Sequence, residues 1–259
     1  MKTRFIILAT ILIGATLTFS SCKKDKDEDP TPAAPTSPQM TLDMSLIYGL
    51  QNLILNSETY TNAASEPFTI SKFKFYLSNI QLVKTDNNIV DLNDTYFLID
   101  LADPASTEIK IQDVPVGEYK GMKFMVGVDS TRNVSGAQTG ALDPANGMFW
   151  SWTAGYIYLK LEGNAPVIGN PDNFEFHIGG YMQPNSTIQI IDMDFGTYTL
   201  NIAENKNPEV HFVVDLEEFF KNPTLSLAVV NNVTTPGAAA KAIAQGYADM
   251  FTFDHIHDD

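Results

Sequence analysis

The sequence of 259 residues has one cysteine, two tryptophans, four histidines and only 16 basic residues against 31 acidic ones. Each scarcity removes a class of function. A single Cys excludes an internal disulfide framework, an iron–sulfur cluster and any multi-Cys zinc site. A net charge of −15 argues against nucleic-acid binding, which needs a basic face to neutralise phosphates. Gly-rich phosphate loops and G-x-S-x-G are missing. No Glu or Asp stands at a spacing that specifies a general base beside a metal or nucleophile, so enzymatic activity is not expected. At 44% hydrophobic and 11% aromatic, however, the chain is too apolar to be disordered throughout.

The long apolar run sits at the start. Lys2 and Arg4 precede an apolar stretch from Phe5 to Leu17, and small residues lead to Cys22. This reads as a secretory signal peptide, too short for a comfortable membrane span. The lone Cys stands where such a signal is cut. The segment therefore resembles a bacterial lipobox, with Phe19 where Leu is usual, and implies removal of residues 1–21 and lipidation of Cys22. Residues 22–39 are charged and then Pro-rich, which predicts an extended tether. Its acidic run resembles the surface-export signals of Bacteroidota lipoproteins. An outer-membrane lipoprotein follows, facing either the periplasm or the cell surface and held by its lipid.

From residue 40 to 259 the apolar period is mostly two. Phe73, Phe75 and Leu77 share a face, as do Ile157, Leu159 and Leu161, then Phe174, Phe176 and Ile178, then Val210, Phe212 and Val214. These predict strands with one buried face. Further strands are expected near 42–48, 96–100, 120–128, 187–193 and 197–202, broken by Asn, Gly and Pro turn residues. The expected fold is all-β, an antiparallel β-sandwich in one domain with a short C-terminal helix over 235–250, capped by Thr235 with Pro236 in its first turn.

Chemistry concentrates in few places. His255 and His257 form an H-x-H pair which, in an extended segment, points both imidazoles the same way and can chelate one ion; the bland alternative is an acidic tail with incidental histidines. His177 opposes the apolar face of its strand, just before Gly179 and Gly180. His211 also opposes its strand's apolar face and reads as a covered, satisfied histidine. Trp150 and Trp152 lie on one face if extended, where core packing is the ordinary role. Asp192 and Asp194 lack further oxygen ligands at calcium-site spacing and read as flanking a turn.

Taken in order, the segments FKFYLSNI at 73–80, VPVGEY at 114–119, FMVGV at 124–128, GMFWSWTAGY at 147–156, FHIGG at 176–180 and MFTFDHIH at 250–257 resemble the MbnP-like copper-binding family, in its Bacteroidota lipoprotein branch. The resemblance spans residues 41–257. It implies an exported β-sandwich that captures or buffers copper, Cu(I) or Cu(II), through histidine. His177 is the ligand most directly matched by motif, with His255 and His257 fitting the branch pattern. It also implies that Trp150 or Trp152 is the residue oxidised to kynurenine in some relatives, by a di-haem partner of the cytochrome c peroxidase type. Some relatives carry several Cys residues, whereas this chain has none in its folded body. The competing expectation is a surface lipoprotein that binds a glycan or protein partner and has no metal role.

Overall fold

Alternating apolar residues build two sheets that close on each other. The computed structural model describes residues 37–136, 138–151 and 154–258, so the signal segment, Cys22, most of the tether and Trp152 lie outside the described residues. The principal strands are β1 (Gln39–Tyr48), β2 (Pro67–Lys84), β3 (Tyr96–Asp100), β4 (Glu108–Gln112), β5 (Gly117–Val126), β6 (Phe149–Ser151), β7 (Leu159–Asn164), β8 (Asn173–Ile178), β9 (Gln189–Asp194), β10 (Glu209–Asp215) and β11 (Phe251–His257). The larger sheet runs β9–β5–β2–β7–β8, with β3 also on β2; the smaller runs β11–β10–β1, with β4 on the far side of β1.

The core lies between them. Phe75 of β2 and Phe124 of β5 meet Phe251 of β11 at 5.6 and 5.3 Å between ring centroids, and Phe124 meets Phe212 of β10 at 5.9 Å. Each such ring is fully or nearly fully buried, a burial that stabilises by about 1.5–3 kcal/mol per side chain. A second apolar cluster covers the outer face of the larger sheet. It joins Tyr76, which points away from its neighbour Phe75, to Met148, Tyr156 and Tyr158.

The all-β sandwich agrees with the sequence reading, with three local differences. The pairing of β1 with β10 is parallel, because these strands are far apart in the chain and no hairpin imposes a direction. The run expected over 156–162 is interrupted, and Ile157 packs in the outer cluster whereas Leu159 and Leu161 face the core. The C-terminal helix spans Ala238–Tyr247 and Gly237, not Thr235, occupies its cap position; Pro236 precedes it.

Candidate metal centre

The outer face of the smaller sheet carries a two-by-three array of polar side chains. Along β1, β10 and β11 the inward positions are apolar, so the alternate positions face out. The register sets Asp43 beside His211 and His211 beside His255, and in the next row Thr41 beside Glu209 and Glu209 beside His257.

A bulge makes this array possible. On β11 the residues Phe251, Phe253, His255 and His257 have even spacing, and an unbroken strand would put all four on one face. The pairing with β10 slips by one residue here: His211 faces His255 whereas Phe212 faces Phe253, leaving Asp254 as the extra residue. Phe251 is thereby kept in the core while His255 and His257 turn outward. Re-aiming side chains at a site is a common use of β-bulges.

The three imidazoles converge. His211 and His255 stack with centroids 4.4 Å apart and planes within 5°, and His257 stands edge-on to both. The Nε2 atoms of His255 and His257 are 3.0 Å apart. One ring nitrogen from each of His211, His255 and His257 lies within 4.8 Å of the others. Carboxylates flank the opposite edges of two rings: Asp43 Oδ2 is 3.1 Å from His211 Nδ1 and Asp254 Oδ2 is 3.0 Å from His255 Nδ1. At His255 this negative charge favours the proton on Nδ1 and leaves Nε2 as the donor, the arrangement common around metal-bound histidines, whereas His211 has a carboxylate at each ring nitrogen.

His211 Nε2 provides the test of fit. It is buried and makes no hydrogen bond; Glu209 Oε1 is 2.8 Å away but off the direction a hydrogen bond needs. A buried polar nitrogen without a partner costs about 1–3 kcal/mol, a cost that ligation would remove. Imidazole donors suit copper, so the residues fit that ion.

His177 is placed elsewhere. It projects from β8 on the outer face of the larger sheet, opposite the buried Phe176 and Ile178, and its Nε2 is 2.8 Å from Glu162 Oε1. Burial alone would raise the Glu162 pKa, but the Lys72 and His177 contacts outweigh it and hold the carboxyl below its ordinary value. Trp150 belongs to this same side, packed on the outer tyrosine cluster. A Cβ on Gly179 would stand 2.3 Å from the Tyr156 carbonyl and 2.9 Å from the Trp150 ring. Gly179 thus lets the segments 147–156 and 176–180 meet. The structure brings His255 and His257 together with His211, and does not bring His177 or Trp150 to them; His177 projects from the outer face of the larger sheet, and Trp150, on a two-stranded ribbon of β6 with Gly155–Tyr156, packs with the cluster over that face. Sheets pack about 10 Å apart, whereas histidine–metal bonds are near 2 Å. Asp192 and Asp194 make local contacts, Asp192 with Lys123 and Asp194 with the Gly196 amide.

The sequence reading of His211 as a covered, satisfied histidine is corrected by its unpartnered Nε2, and its neighbours Glu209 and Asp43 were passed over. The signal available was the i, i+2 spacing of Glu209 and His211 on one polar strand face; what it lacked was the strand pairing.

A family model described as MbnP matches residues 37–236. The match includes His211 and ends before β11. The solved structure of MbnP from Methylosinus trichosporium has 13% identity with this chain, covers 85% of it and 98% of its own length, and superposes with a TM-score of 0.50. At that identity the likeness is one of fold. No curated protein matches.

Proposed function

We propose, from the premise that the chain belongs to the MbnP family, that it is an exported, non-enzymatic copper-binding lipoprotein which captures or buffers copper in the cell envelope. Family membership supports a copper-related role. The observation that carries the finer reading is the convergence of His211, His255 and His257, with donor nitrogens within 4.8 Å of one another. When bound, copper would supply a coordination centre that ties β10 to the C-terminal strand. The protein's own part is to hold three neutral imidazoles in place, to fix the tautomer of His255 through Asp254, and to keep His211 Nε2 out of water.

Lipidation at Cys22 would hold the domain at the outer membrane. A di-haem peroxidase-type partner would act on Trp150 or Trp152.

The test is a copper titration of the purified protein against a competing chelator. One tight equivalent is expected, lost when His255 and His257 are both replaced by Ala. Binding no stronger than that of the denatured chain would overturn the reading.

A further inference from the structure

The array around the three histidines also holds an oxygen donor. We propose that Glu209 is the fourth ligand of this site and that its carboxylate tunes the site toward Cu(II) over Cu(I). The inference rests on the copper reading above.

Glu209 stands two residues before His211 on the same face of β10 and opposite His257 in the register. Its Oε1 lies 2.8 Å from the buried His211 Nε2 without a hydrogen bond between them. In the tautomer of His211 that carries its proton on Nδ1, beside Asp43, both atoms are acceptors. Two acceptors at that separation repel, and a cation between them turns the repulsion into two attractive contacts. Glu209 also groups with Asp43 and His211 as a second possible metal-holding set, which shares His211 with the set of three imidazoles.

Charge and softness point the same way. Glu209, Asp43 and Asp254 place three carboxylates around neutral imidazoles, and the Coulomb attraction of this field for a doubly charged ion is twice that for a singly charged one. The array has no sulfur, since the six outward residues are Thr41, Asp43, Glu209, His211, His255 and His257. Cu(I) favours soft thiolate and thioether donors, whereas imidazole with carboxylate suits harder, divalent ions. The ion binds without change of oxidation state.

The experiment titrates the full chain with Cu(I) under anaerobic conditions and, separately, with Cu(II), each against a competing chelator. It is run on the wild type, Glu209→Gln and Glu108→Gln. Glu108 pairs with Asp43 in the register and contacts Lys110, so its variant removes the same charge from the same sheet without removing the donor. Thermal melts confirm that each variant folds. Glu209→Gln should weaken Cu(II) by about tenfold or more, leave Cu(I) within about twofold, and shift the Cu(II) electron paramagnetic resonance spectrum; Glu108→Gln should do none of these. Equal losses in both oxidation states, no loss in either, or the same loss from Glu108→Gln would overturn the assignment of Glu209 while the copper reading stands. A wild type that binds neither ion would overturn both.

Discussion

His211 and His255 stack face to face across the β10–β11 pair, ring centroids 4.4 Å apart and planes within 5°. They come from strands some forty residues apart in the chain, and they meet because they are directly opposed in the register. The stack fixes both ring planes, so their Nε2 edges are held before any ligand arrives. Such preorganisation lowers the ordering cost of binding.

The stacked pair gives a sharp expectation for His211→Leu. The variant loses a donor, and copper affinity should fall by about tenfold or more, the scale on which metal sites respond to losing even supporting contacts. It also loses the buried, unpartnered Nε2, whose cost is about 1–3 kcal/mol. The melting temperature should therefore stay level or rise. A melt that drops sharply while copper binding persists would show that His211 is a structural residue.

Asp254 separates two effects that a simple alanine scan would merge. Asp254→Ala keeps the extra residue and removes the carboxylate beside His255 Nδ1, so copper affinity should fall about 10- to 100-fold with little change in folding. Deleting Asp254 removes the bulge itself. Phe251, Phe253 and Ile256 then alternate with Thr252, His255 and His257 along an unbroken strand, so the imidazoles keep their outward face and the variant should fold and bind copper about as Asp254→Ala does. Denaturant melts and copper titrations on the pair of variants check both halves. A deletion variant that loses copper well beyond Asp254→Ala would show that the bulge sets the spacing of the two imidazoles as well as their face.

These particulars show why the fold was largely readable and the site only half so. Alternation at Phe73, Phe75 and Leu77, or at Val210, Phe212 and Val214, is local, and one buried face per strand suffices to predict a sandwich. His255 and His257 were readable as a pair because their spacing is local too. Their partner was not. His211 joins them through a register that depends on the pairing of β10 with β11, and through a one-residue slip that no periodicity announces. Even spacing from Phe251 to His257 in fact predicts the wrong face for the histidines. His177 and Trp150 shared motifs with the family, but His177 sits on the larger sheet and Trp150 on a two-stranded ribbon packed over it, a separation set by topology.

That separation is testable with His177→Ala. The side chain contacts Glu162 and stands outside the histidine cluster. Copper affinity of the variant should remain within about twofold of the wild type, since sites that share no partners act independently. A loss comparable to that of the His255 and His257 double variant would mean that copper is held on the larger sheet instead.

The acid stability of the fold should depend on Glu66, which staples the loop before β2 to a distant segment. Its carboxylate is buried and accepts hydrogen bonds from Asn62 Nδ2 at 2.7 Å, Ser226 Oγ at 2.7 Å, and the amides of Leu227 and Ala228 at 2.6 and 3.2 Å. Burial alone would raise its pKa, but these four bonds outweigh it and hold the pKa below the ordinary 4.5. A folded-state pKa below the unfolded one means that the carboxylate stabilises the fold fully above the unfolded value. That contribution disappears as pH falls through the lower, folded-state value. Glu66→Gln puts an amide NH₂ where some of those donors point, and should cost about 1–3 kcal/mol at pH 7. As the pH drops below 4.5 the wild type protonates and the gap between the two proteins should close. Urea denaturation of both at pH 7 and near pH 3 measures it; a gap that stays constant across that range would show that the ionised carboxylate is not what holds the two segments together.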